Sequence, residues 1–308
     1  MPRVTRSPRR LLTVAFISSL LAWSFAAPVA AAPAAEPVCE PAAAAAAGAG
    51  LRDAHGVLRE PVLRGTTAQE TPASARGTAS SRFSEKIDVH VHVVMNTAGA
   101  GAVSNQTINQ QIAYQNRAFA GQLGGPRTGF EFRLASVDRT TRNAWYDAGP
   151  GTPQEDAMKK ALKRGGPDDL NVYTTSGNLF LGWAYFPDIV GTEFEYLDGV
   201  VLDYRSLPGG EYGTQFSLGG TLPHETGHWL GLLHTFDGGC SKAGDLVADT
   251  PAERDPTSGC PEGKDTCRGK PGLDPIHNFM DYSFDSCYTQ FSPGQAERAQ
   301  EQWNAFRD

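Results

Sequence analysis

The sequence predicts an α/β domain that ends in a loop-rich region and is preceded by a secretion signal and a leader. Three observations predict it. Between residues 82 and 204, short alternating strand patterns take turns with helix patterns. A helix carrying His224, Glu225 and His228 follows a glycine-rich loop. The chain then becomes rich in Gly, Pro, Asp and Cys before a final helix pattern.

The chain has 308 residues and a formal net charge of -7, enough for one sizeable domain plus a dispensable N-terminus. The acidic balance gives no support to nucleic-acid binding. Arg3, Arg6, Arg9 and Arg10 precede an apolar run over residues 11–27, and Val29, Ala30 and Ala31 offer a small-residue cleavage site. Residues 1–31 therefore read as a secretory signal. A permanent membrane anchor is disfavoured because Ser18, Ser19 and Ser24 interrupt the run. Residues 32–81 are rich in Ala, Thr, Arg, Pro and Ser without apolar periodicity and read as a pro-segment or flexible leader. The folded domain is expected over residues 82–308.

Residues 86–94 alternate as a strand; His90 and His92 share one face of it and are better read as structural than as ligands. Residues 104–121 carry Ile108, Ile112, Tyr114 and Phe119 at helical spacing. Residues 130–134 alternate again, 155–163 form a short helix stopped by Gly165, Gly166 and Pro167, and 170–174 are a strand. Residues 177–187 are apolar with glycines and a closing proline, as an edge strand can be. They suit either a cleft rim to which an extended substrate adds, or an ordinary core strand. Residues 199–204 are a further strand. The helix carrying His224 and His228 begins near Thr221, and Ser292, Pro293 and Gln295 supply a cap, a first-turn proline and a capping box for the last helix.

His224 and His228 stand one above the other on a helix, placed to share one zinc ion, with Glu225 beside it as candidate general base. A bare His-Glu-x-x-His also occurs on ordinary helix faces. Here Gly231 can end the helix and let His234 return as third ligand, leaving one position for water. Three of the chain's 7 histidines fall within residues 224–234. Downstream, Met280 can supply an apolar floor and Tyr282 an oxyanion donor, although each taken alone suits a core position. Trp229, Leu230, Leu232 and Leu233 read as packing. Five cysteines are present, and export permits disulfides. Cys240, Cys260, Cys267 and Cys287 allow three pairings that spacing alone does not separate; a second zinc site is disfavoured by the lack of Cys-x-x-Cys.

Residues 222–240, 244–251, 274–282, Cys287 and 289–291 together resemble the pappalysin family of metzincin metallopeptidases, in particular its secreted microbial members of the ulilysin and cytophagalysin type. The resemblance is strongest from about residue 177 onward. It implies a two-lobed domain, with a twisted, mostly parallel sheet backed by two helices above, a loop-rich lobe with a methionine turn below, and a cleft over the zinc. It implies disulfides Cys240–Cys267 and Cys260–Cys287. It also implies a calcium site at Asp245, Ala248 and Thr250, where hard oxygen donors suit that ion; the alternative is a solvated acidic loop. Some relatives carry an acidic residue before the last cysteine that selects a basic side chain after the scissile bond. Ser286 stands there, with Asp285 one earlier, so that preference carries over only if Asp285 serves in its place.

The expected protein is a secreted zinc endopeptidase acting on proteins or peptides, with Zn2+ and Ca2+ as cofactors. It is expected to be extracellular and monomeric, with no nucleic-acid partner and no membrane association after signal removal. Cys39 is the odd cysteine and reads either as an incidental leader cysteine with no metal role or as a latency switch whose thiolate blocks the zinc in a precursor. The competing reading is a non-catalytic, zinc-containing binding module of the same fold, which would have no use for Glu225.

Overall fold

Alternation of apolar residues builds the first long strand, and the rest of the sheet assembles on it. The computed structural model describes residues 52–53, 70–77, 79–241 and 244–308. The chain divides into units Met1–Ala42 and Ala43–Asp308, and every described residue belongs to the second. The expected signal, Cys39 and most of the leader lie outside the described residues.

In chain order the elements are β1 (Arg52–Asp53), β2 (Glu85–Met95), α1 (Asn105–Phe119), β3 (Phe130–Thr141), α2 (Asn143–Tyr146) and α3 (Pro153–Leu162). They continue with β4 (Leu170–Thr175), β5 (Phe180–Ala184), β6 (Val200–Asp203), α4 (Gly213–Phe216), α5 (Thr221–Trp229) and α6 (Pro293–Phe306). One sheet takes the order β1-β5-β6-β4-β2-β3. β2 pairs in parallel with β3 and β4, and β4 in parallel with β6. β5 runs antiparallel to β6, and β1 antiparallel to β5.

Ile87, Val89, Val91 and Val93 of β2 are buried, and so is His92 on the opposite face. Such two-sided burial is usual for central parallel strands. His92 Nδ1 lies 2.8 Å from Asp138 Oδ2 and its Nε2 3.0 Å from Asn171 Oδ1, so its polar atoms are satisfied inside the sheet. β3 runs seven residues past the expected stretch, to Thr141. Its second half is an edge strand with exposed polar residues, which hides it from apolar patterning. Ser104 caps α1, Thr152 caps α3, and Ser292 with Gln295 forms the capping box of α6.

Behind β5 lies a fully buried ion pair, Lys159 Nζ to Glu155 Oε1 at 3.1 Å. Glu155 also accepts from Trp183 Nε1 at 2.7 Å and from the Tyr185 hydroxyl at 2.9 Å. These contacts fasten β5 and the residue that follows it to α3. Residues of the expected leader just before Arg82 also pack against α6. Thr71 and Ala75 are buried, and Gly77 and Ser80 donate their amides to Glu301 and Gln300 of α6. Weak apolar periodicity concealed this strap, because polar side chains of α6 rather than an apolar stripe receive it.

Candidate metal centre

α5 has nine residues, all buried. Leu230 and Leu232 donate their amides back to Thr226 and Gly227, and Gly231 then turns the chain with φ +85°. That turn returns His234 to the helix. His228 Nε2 comes 3.2 Å from His224 Nε2 and 3.1 Å from His234 Nε2. The Nδ1 atoms face acceptors: Phe279 O at 2.6 Å for His224, Leu232 O at 2.7 Å for His228, and the Asp237 carboxylate at 3.4 Å for His234. With the protons on Nδ1, three Nε2 lone pairs converge on one point, an arrangement that needs a cation between them. Nitrogens about 2.0–2.1 Å from a tetrahedral zinc stand about 3.3 Å apart, so the donor set fits that ion.

Glu225 is fully buried beside this point. β5 passes so close that a Cβ on Gly182 would lie 2.9 Å from Glu225 Cγ and 3.1 Å from its Oε1. Met280 sits directly against α5, where a Cβ on Gly227 would fall 2.3 Å from its Sδ. Any side chain at either glycine would displace a part of the centre. The Tyr282 ring lies 5.6 Å from that of His224 and 4.8 Å from that of His234. Phe236 stacks on His234 at 4.6 Å and Phe186 meets His228 edge-on at 5.7 Å, giving the imidazoles apolar walls. Trp229, Leu230, Leu232 and Leu233 are buried in the core.

Disulfides join Cys240 to Cys267 and Cys260 to Cys287. A second group with metal-ligand types, Cys260, His277 and Cys287, is closed by the latter bond. In the loop after His234, Asp245 is buried, and burial raises its carboxyl to about 7. Asp245 Oδ1 accepts from the Val247 amide, and Thr250 lies against the same carboxylate, with Ala248 between them in sequence. Asp249 instead turns to α6, accepting from the Ser292 hydroxyl and the Gly294 amide. Asp285 Oδ2 accepts the amides of Leu218, Gly219 and Gly220, while Ser286 is exposed.

Sequence reasoning passed over Gly182, Gly227, Asp237 and the engagement of Asp285. A glycine inside an apolar strand, as at Gly182, signals close backbone approach and could have been read so. No comparable signal marks Asp237 or Asp285. Among the described residues, no helix is long and apolar enough to cross a membrane.

The sequence profile of the M43 peptidases, described as pregnancy-associated plasma protein-A, matches residues 170–304. An extracellular metalloprotease of Pyricularia oryzae is 46% identical over 244 residues, covering 77% of this chain and 82% of its own. One of Verticillium alfalfae is 43% identical over 247 residues, covering 78% and 83%. Mature mirolysin of Tannerella forsythia, solved in complex with a cleaved peptide, superposes with a TM-score of 0.59 at 30% identity, covering 72% of this chain and 92% of its own. Mirolysin in complex with a small compound gives a TM-score of 0.63 at 29% identity, covering 73% and 93%.

Proposed function

The chain belongs to the M43 peptidase family, the pappalysins, and from that premise we propose how its cleft cuts a polypeptide. It is a secreted zinc endopeptidase of the metzincin type, working outside the cell on proteins or peptides. His224, His228 and His234 hold the zinc. Zinc in such a site supplies Lewis acidity, polarising a carbonyl and bringing the ionisation of water toward neutral pH. Glu225 takes the proton from the attacking water and delivers it to the leaving amine. The Tyr282 hydroxyl donates to the carbonyl oxygen as negative charge develops there. Met280 and the three backbone or carboxylate acceptors on Nδ1 keep the imidazoles fixed.

The substrate adds to β5 as an antiparallel strand. Support comes from β1, which already pairs with β5 in that sense, with Arg52 opposite Gly182. Backbone paired at Gly182 runs beside Glu225. The same pairing supports a latent precursor in which the leader covers the rim until it is removed, with the Cys39 thiolate as blocking ligand. Residues 1–31 direct export, and the mature chain acts as a monomer with no membrane or nucleic-acid partner. Calcium binds at Asp245, Ala248 and Thr250, where a buried carboxylate in the loop after His234 offers a hard oxygen donor. A preference for basic residues after the scissile bond is not expected, because Asp285 is committed to backbone amides.

The observation that carries this reading is the convergence of three Nε2 atoms beside a buried glutamate that lies against β5. Leader-free protein should cleave a proteome-derived peptide mixture, stop on chelation and resume with zinc. Glu225→Gln should keep its zinc and lose cleavage by about 10²–10⁴-fold. Zinc-loaded wild type as inert as Glu225→Gln would favour the binding module instead.

A further inference from the structure

α5 is poorly equipped to hold its own ends. Its N-cap is Gly220, without a side-chain cap, and its first turn has no acidic residue. Pro223 removes one amide, and nine residues make a marginal helix. Both ends are instead held by charged side chains from distant segments. At the N-terminus, Asp285 Oδ2 accepts the amides of Leu218, Gly219 and Gly220 at 2.9, 3.1 and 3.1 Å. At the C-terminus, Arg307 Nη2 donates to Trp229 O at 2.9 Å and Arg298 Nε to Gly231 O at 2.9 Å. The signs match the helix dipole, negative at the N-terminus and positive at the C-terminus.

Each contact lies one step from an imidazole. Gly231 precedes Leu232, whose carbonyl faces His228 Nδ1 at 2.7 Å. Asp285 belongs to the loop that also places Phe279 O 2.6 Å from His224 Nδ1. Arg307 is gripped in turn by Asp198 through 2.9 and 3.1 Å contacts, both side chains fully buried, and its guanidinium lies 3.6 Å above the Trp229 ring. Arg298 also reaches Thr71 Oγ1 at 3.4 Å. The loop before β6 and the N-terminal strap are thereby linked to the end of α5.

We propose that Asp285, Arg298 and Arg307 are positioning residues that set the spacing of the three zinc-binding nitrogens by clamping both ends of α5. The proposal rests on the zinc site described above. Loosening either end lets His224 and His228 drift relative to His234, so the metal should leave faster even while the fold survives.

The test compares leader-free wild type with Asp285→Asn, Arg298→Lys and Arg307→Lys, and with Met158→Ala as control. Met158 is a fully buried core residue of α3, outside the clamp. The readouts are the rate of zinc loss to a chelator, the visible spectrum after cobalt substitution, and kcat and KM, all well below each Tm. Outer-shell changes typically weaken metal affinity 10–100-fold, so the clamp variants should release zinc at least about tenfold faster. They should also show an altered cobalt spectrum and a lower kcat at unchanged KM. Met158→Ala should lower Tm with zinc release and spectrum unchanged. If zinc release merely follows Tm across all four variants, the positioning role is overturned. Wild type that binds cobalt but cuts no peptide would overturn the peptidase reading alone, and wild type that takes up neither metal would overturn both.

Discussion

The sheet region and the segment between α5 and α6 hold themselves together in different ways. Residues 85–203 place nearly all their order in backbone ladders and in buried Val, Ile, Phe and Tyr side chains. Between Trp229 and Pro293 the described residues contain no helix or strand, only an isolated bridge from Asn278 to Gln290. Two disulfides and a polar cluster take over there. Lys264 Nζ meets Glu253 Oε1 at 2.6 Å, Thr257 Oγ1 at 2.9 Å and Asp274 Oδ2 at 3.3 Å, and Glu253 also accepts from Thr235 next to His234. Regular structure suffices where side chains alternate. A loop that must carry Met280 and Tyr282 under a metal needs covalent and ionic ties instead.

The comparison predicts different weak points. The largest stability loss should come from the sheet side. Glu155→Ala leaves Lys159 buried without its carboxylate partner and frees Trp183 of β5 and Tyr185 just after it, at a cost of about 3–5 kcal/mol. Urea denaturation should register this as a lower midpoint. An unchanged midpoint would mean that β5 does not depend on the pair.

The next effect belongs to the loop region. Cys240→Ser together with Cys267→Ser opens a bridge with a sequence separation of 27 and should cost about 3 kcal/mol. Proteolysis should then cut first between residues 240 and 270, while the sheet amides keep their hydrogen-exchange protection. Uniform loss of protection would show that the two regions do not differ as described.

A third effect is pH-dependent. Burial raises the Glu253 carboxyl from 4.5 to about 7, and Asp281 is raised in the same direction, also chiefly by burial. The folded state therefore holds these protons more tightly than the unfolded one. The Glu253 contribution is full below about pH 4.5 and is lost as pH rises through about 7. For Glu253 this amounts to about 3 kcal/mol at most. Stability measured from pH 4.5 to 8 should decline by about that amount, and Glu253→Gln should flatten the decline. A wild-type curve that rises over this range would contradict the assignment.

The smallest effect concerns calcium. Added calcium should raise Tm by a few degrees in wild type and by nothing in Asp245→Asn. Equal responses would remove the proposed site.

The same contrast governs how much could be read from the sequence. The strands at 86–94 and 170–174, the capped α6 and the zinc motif were legible because their periodicity or spacing is local. β3 beyond Leu134 was not, since its polar edge residues mimic a loop. The strap around Thr71 was missed because its partners, Glu301 and Gln300, lie more than two hundred residues away. Asp285, Arg298 and Arg307 look like ordinary surface charges in the sequence. Only the fold brings them to the ends of α5, and a period of 3.6 or 2 carries no trace of that.

X-ray absorption at the zinc edge of purified, leader-free protein tests the central claim most directly. The account predicts one zinc per chain with three imidazole nitrogens at about 2.0–2.1 Å and light-atom oxygen completing the shell. Fewer than three imidazoles, a sulfur ligand in the leader-free form, or no stoichiometric zinc would contradict it.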